Sequence, residues 1–165
     1  MQRVYSLLVD NNSGVLSRIS GLFTRRGYNI DSITAGVTAD PRFTRITIVS
    51  SGDKIILSQI EKQIAKLEDV IVVKVLKPEE SVYRELILVK IRANAQQRSE
   101  IVSIADIFRA KIVDAERESL VIELTGTQSK LEAFLQLLDG YEILELARTG
   151  IAGLSRGIKD VTFIE

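Results

Sequence analysis

The chain has 165 residues, 45% of them hydrophobic and 27% charged, and its 22 basic and 22 acidic side chains leave no net charge. Such balance creates no overall field to draw in a polyanion, which argues against a nucleic-acid partner. Cys and His are both absent, so disulfides, thiolate chemistry and the commonest general base and metal ligand are excluded. No stretch reaches the roughly 20 apolar residues of a membrane helix. The first six residues lack the charged, apolar and small-residue regions of a signal peptide, so a cytoplasmic chain away from membranes is expected.

Residues 3–9 are dense in Val, Leu and Tyr and run into Asp10-Asn11-Asn12-Ser13-Gly14, which predicts a strand ending in a polar loop. Val15, Leu16, Ile19, Leu22 and Phe23 recur at helical spacing, and Gly27 follows where a helix end favours positive φ. Residues 28–37, rich in β-branched side chains, predict a second strand. After a turn at residues 39–42, Thr44, Ile46 and Ile48 alternate with Arg45 and Thr47, the period of a half-buried strand over 43–49. Ser51-Gly52-Asp53 carries helix-start chemistry, and Leu57, Ile60, Ile64 and Leu67 then step by three and four. Residues 70–76 predict a fourth strand.

The polar run Lys77-Pro78-Glu79-Glu80-Ser81 holds one of the two prolines and predicts a linker. The same order then repeats. A strand is expected at 85–91, and a helix face at Ile101, Ile104, Ala105 and Phe108. A hairpin over 110–124 turns at Arg117-Glu118-Ser119. Leu131, Phe134, Leu135 and Leu138 form another helix face ended by Gly140, and a last strand covers 141–147. The expectation is an α+β protein of two ferredoxin-like β-α-β-β-α-β domains, each an antiparallel sheet with helices on one face. The domains are read as 1–77 and 84–165, the second carrying a tail, with 78–83 between them. The free face of each sheet must be exposed or paired, and domains this small bury a modest share of their surface, so a homodimer is expected.

The fold hosts many functions, so the loops must carry the chemistry. Between first strand and first helix, free N–H groups favour an anion such as a carboxylate. Gly14 lets a ligand approach the backbone, and Asn11 both donates and accepts. The plainer alternative is that Asn12 or Ser13 is an ordinary helix cap and Gly14 merely permissive.

The run Leu7-Leu8-Val9-Asp10-Asn11-Asn12-Ser13-Gly14-Val15-Leu16-Ser17-Arg18-Ile19-Ser20-Gly21-Leu22-Phe23, continued by Arg26-Gly27-Tyr28-Asn29-Ile30-Asp31-Ser32, closely resembles the ACT domain that opens the acetohydroxyacid (acetolactate) synthase regulatory subunit. The later run Leu146-Ala147-Arg148-Thr149-Gly150-Ile151-Ala152-Gly153-Leu154-Ser155-Arg156-Gly157 is similar to that family's C-terminal end. The resemblance implies a non-catalytic chain that activates a separate catalytic large subunit and makes it sensitive to a branched-chain amino acid, valine before leucine or isoleucine. Paired ACT domains would hold this effector at their interface. By position, Asn11, Gly14, Val15 and Leu16 would form the helix-start end of the site, and Asn29 and Ile30 would complete it from the partner chain. Thiamine diphosphate, magnesium and FAD would belong to the catalytic subunit, with no cofactor or metal on this chain. The Gly-rich tail Thr149-Gly150-Ile151-Ala152-Gly153 lacks the Lys and strand-to-helix context of a phosphate loop, and contact with the catalytic subunit is the expectation for it.

Another ACT-type amino-acid-sensing regulator is the nearest alternative. An RNA-binding module shares the element order, but such modules stack bases on aromatics in central strands. Here residues 43–49 hold one aromatic and 120–124 none. An enzyme acting alone would need paired acid and base groups, and the carboxylates Asp10, Asp31 and Glu145 are scattered. Gly14→Glu is expected to leave a folded, activating protein that no longer answers to valine; the plainer alternative expects little change, or a loss of folding if residue 14 has positive φ.

Overall fold

The computed structural model describes residues 1–158, which form two compact units, Met1–Tyr83 with the returning residues 151–158, and Arg84–Gly150. The first unit runs β1 (Gln2–Asp10), α1 (Val15–Arg26), β2 (Ser32–Val37), β3 (Phe43–Ser51), α2 (Lys54–Ala65) and β4 (Val70–Leu76). Its antiparallel sheet has the order β2-β3-β1-β4. The β-α-β-β-α-β order is therefore present as expected.

β1 is paired on both sides and buried along most of its length. Tyr5, Leu7 and Val9 point toward the helices and meet Ile19, Phe23, Ile60 and Ile64 in one core. The Tyr5 hydroxyl donates to the Leu57 carbonyl at 2.7 Å, which satisfies a polar group at the centre of that core. The opposite sheet face is covered in part by the returning chain, where Ile151 packs with Val4, Val49 and Leu76.

The second unit takes most of β5 (Ser81–Arg92), then α3 (Ala95–Ile107), β6 (Lys111–Ala115), β7 (Ser119–Gly126), α4 (Gln128–Leu137) and β8 (Ile143–Arg148), in sheet order β6-β7-β5-β8. Its core joins Ile87, Val89 and Ile91 to Ile101, Ile122, Leu131 and Phe134. Asn94 and Gln97 cap α3 reciprocally, each side chain bonding the other's backbone N–H. A short β9 (Ala152–Ser155) follows and pairs with β5.

Several boundaries differ from the pattern-based expectation. The second strand begins at Ser32, not residue 28, because Gly27 (φ 69°) ends α1 and the Tyr28 N–H turns back to the Phe23 carbonyl at 2.9 Å. Tyr28 then lies edge-on to Phe23, with 5.9 Å between ring centres. Leu16 leaves the apolar stripe, being 49% exposed. The proline-containing stretch is not a slack tether: Pro78–Glu80 is one 3₁₀ turn, and Ser81 already starts β5. Residues 151–158, read from the pattern as a tail of the second domain, group with the first unit because Ile151 inserts into its sheet face.

Burial pushes the Tyr5 hydroxyl up to about 12, with Arg3 opposing. An unfolded tyrosine ionises near about 10. The neutral hydroxyl is thus favoured in the folded state, and its stabilisation, complete below about pH 10, is lost as pH rises through about 12. Tyr5→Phe is expected to lower stability at pH 8 by about 1 kcal/mol through the lost hydrogen bond, yet to show a shallower alkaline loss than the unaltered chain. Urea titrations of both proteins at pH 8 and at higher pH check this.

Candidate functional site

The loop after β1 is tied down before the helix starts. Asp10 N–H donates to the Asp69 carbonyl at 2.9 Å and Asn11 N–H to the Arg42 carbonyl at 2.8 Å. The Asn11 side chain is oriented from the same direction: its Nδ2 donates to the Pro41 carbonyl at 2.9 Å, and its Oδ1 accepts from Thr44 Oγ1 at 3.1 Å. One amide hydrogen and one lone pair of Asn11 are left over from these contacts.

Gly14 itself is the capping residue of α1, with φ 87° and ψ −5°, and no side chain caps the helix. Neither Asn12 nor Ser13 fills that role, while the left-handed backbone of Gly14 is by itself a conformational reason for glycine, as the plainer alternative has it. An exposed helix start without a side-chain cap leaves N–H donors and the positive dipole end for an anion. Arg18, one turn along, points back over this start, as helical side chains do. A Cβ on Gly14 would lie 3.1 Å from Arg18 Nη1. Arg18 Nε donates to Asp69 Oδ2 at 2.5 Å, and this bond raises its pKa. Across the loop, Arg42 pairs with Asp40 and holds that carboxyl below the usual range. Arg18 was not singled out in the sequence; the signal was its spacing of four from Gly14.

The hydrophobic candidates divide. Val15 is buried in the core and offers the loop only its backbone, whereas Leu16 stands in solvent. Ile30 packs against the first core and Asn29 is exposed; both sit before β2, not within it. Ser50 Oγ holds the Asn29 carbonyl at 2.5 Å, and Asn29 Nδ2 reaches Asp31. The register then separates the two groups. Asp10 faces Phe43 at one end of β3, while the Asp31 N–H bonds the Val49 carbonyl near the other. Six residues of strand span about 20 Å, so one chain cannot bring Gly14 and Asn29 together.

β2 forms an outer edge of the sheet, and among the described residues no strand pairs with its free side. Ile33 and Val37 on it are exposed. Among the described residues no cluster of three or more Cys, His, Asp or Glu could hold a metal, and no helix is long and apolar enough to cross a membrane.

A ferredoxin-like unit with an open helix start and an unpaired edge strand has the layout of an ACT domain, and residues 5–72 match the family described as the AHAS small subunit-like ACT domain. Residues 84–157 match the family described as the small subunit of acetolactate synthase. The chain is 48% identical over 155 residues to a probable acetolactate synthase small subunit of Methanothermobacter thermautotrophicus, covering 93% of this chain and 92% of that protein. It is 48% identical over 160 residues to the isozyme 3 small subunit of Salmonella typhimurium, covering 96% and 98%. The crystal structure of the Thermotoga maritima small subunit superposes with a TM-score of 0.88 at 42% identity, over 96% of this chain and 99% of that one. The chain belongs to the acetolactate synthase small subunit family, not to its catalytic chains.

The positive φ of Gly14 changes what a substitution there can report. Any L side chain is strained at that backbone, so the Gly14→Glu experiment would mix a folding cost with a binding effect. Gly14→Ala is expected to lower stability by about 1–2 kcal/mol. Gly14→Asn, whose side chain tolerates the left-handed region, should cost less. Thermal melting of the three proteins gives the order directly.

Proposed function

We propose that this chain activates the catalytic subunit of acetolactate synthase and conveys feedback inhibition by a branched-chain amino acid, valine in the first instance. The effector binds where two ACT domains of a homodimer meet. Its carboxylate lies at the open start of α1, near Asn11 and Gly14, and its side chain rests on Leu16. Asn29 and Ile30 of the second copy close the pocket. Thiamine diphosphate, magnesium and FAD stay with the catalytic subunit, in the cytoplasm.

The observation that carries this is the separation of the two residue groups along the sheet by about 20 Å. Two copies related by a two-fold axis can place the loop end of one chain against the Asn29 end of the other. The open edge of β2, with Ile33 and Val37 exposed, supports side-by-side pairing of the sheets. Magnitudes point the same way. A carboxylate at an exposed helix start gains about 0.3–1 kcal/mol, and full burial of a valine-sized side chain about 1.5–3 kcal/mol. Micromolar affinity needs about 8 kcal/mol, which asks for a site closed to water by a second chain.

Sedimentation at micromolar concentration should show a dimer. Leu16→Ala should melt with the unaltered protein, since the side chain is exposed, and should still activate the catalytic chain. Its valine affinity, read by calorimetry, should fall about tenfold, which is the loss of about half the burial energy of a Leu side chain. A monomer at all concentrations, or a Leu16→Ala protein with unchanged affinity, would count against the interface site. Calorimetry with leucine and isoleucine on the same preparation ranks the effectors.

A further inference from the structure

The chain leaves the first unit after Tyr83 and returns to it at Ile151, one residue beyond Gly150, whose φ is 81°. The returning segment is fastened along its length. Ile151, 7% exposed, enters the cluster of Val4, Val49 and Leu76, with Tyr83 packed against it. Its carbonyl accepts from Thr34 Oγ1 at 2.9 Å. At Gly153 a Cβ would lie 3.0 Å from both Leu76 Cδ1 and Tyr83 Cδ1, and 3.3 Å from the Val82 carbonyl oxygen. The Arg156 N–H donates to the Glu80 carbonyl at 2.7 Å, and the Tyr83 hydroxyl donates to that of Leu76.

Thr34 is the point of interest, because it sits on the edge strand β2, four residues beyond Ile30. On the other side of Gly150 the chain is held just as firmly within the second unit. Thr149 is bound to Leu86, its N–H donating to the carbonyl at 3.1 Å and its Oγ1 accepting from the N–H at 3.1 Å. Arg148 forks onto Glu85 at 2.8 and 3.1 Å, and Glu85 is only 5% exposed. Four consecutive residues thus join the hydroxyl of Thr34 to the carboxylate of Glu85, with a single glycine joint among them.

We infer that residues 148–153 are a relay strap: a shift of β2 on effector binding is passed through the Thr34–Ile151 hydrogen bond and the Gly150 joint to the Arg148–Glu85 clasp of the second unit. This rests on the effector closing against the segment that opens into β2. The warrant for coupling is an element that both sites bias, and the strap is held at one end by Thr34 and at the other by Glu85.

The test uses the full chain reconstituted with its catalytic subunit. Thr34→Val removes the hydroxyl and keeps the branched shape, and Gly153→Ala displaces the strap by a second route. Calorimetry gives valine affinity, and turnover without and with saturating valine gives activation and maximal inhibition. Both variants should bind valine within about twofold of the unaltered chain, and Thr34→Val should activate within the same margin. The ratio of uninhibited to inhibited rate should fall about fivefold in Thr34→Val, which corresponds to about 1 kcal/mol, the net worth of one hydrogen bond. Deuterium exchange at the Leu86 and Thr149 amides should respond to valine in the unaltered chain and not in Thr34→Val.

Normal binding with unaltered maximal inhibition in both variants overturns the relay and leaves the functional proposal standing. Loss of valine binding in Thr34→Val also overturns it, since the residue would then belong to the pocket. An unaltered chain that binds none of the three branched-chain amino acids overturns the functional proposal and the relay together. If Gly153→Ala does not fold, Thr34→Val alone decides.

Discussion

The first unit is organised around β1, a strand that is hydrogen-bonded on both edges and packed on both faces. Its inner face anchors α1 and α2 through Tyr5, Leu7 and Val9. Its outer face receives Ile151 beside Val4. An antiparallel strand in a small domain usually has one wetted face and reads as an alternating pattern. Here the pattern over Val4–Val9 is nearly continuous, with only Ser6 polar, and Ser6 accepts from Arg45 Nη1 at 2.9 Å. Because β1 cannot move without unpacking two layers, the loop it ends in is held firmly. That is what an open helix start needs if it is to bind an anion without first paying to order itself.

How much of this was legible in the sequence follows from where the information lies. Local rules were sufficient where one residue type settles one backbone state. Asp53 accepts from the Ile56 N–H as a helix cap, Gly27 ends α1 in the left-handed region, and both apolar stripes of α2 and α4 are buried. They failed where tertiary packing decides. Residues 28–31 read as the start of a strand rich in β-branched residues further on, but the Tyr28 N–H turns back to the Phe23 carbonyl and its ring lies edge-on to that of Phe23. Leu16 fits the helical stripe by spacing and misses the core by angle, because Val15 already occupies that side.

The candidate site divides in the same manner. The polar loop and its glycine were readable, since a strand running into an N–H-rich helix start has a local signature, whereas the exposure of Leu16 was not, its spacing placing it in the apolar stripe. The left-handed backbone of Gly14 was not, because a glycine adopts either sign of φ and nothing nearby in the chain declares which. Nor was the distance between Gly14 and Asn29, which depends on strand register rather than on spacing. Arg18 and Asp69 are 51 residues apart and meet only because β4 lies beside β1.

The discontinuous first unit has a consequence for how the protein is made. During synthesis the ribosome releases β1 to β4 long before residues 151–155, and in the interval Val4, Val49 and Leu76 await their cover. The Thr34–Ile151 bond closes a loop of 117 residues, a contact of high sequence separation that forms late in folding. A nascent first unit therefore carries a sticky apolar patch on its sheet while the second unit is still emerging. That patch is the place where a chaperone would bind, or where two unfinished chains would meet, before the strap arrives to seal it.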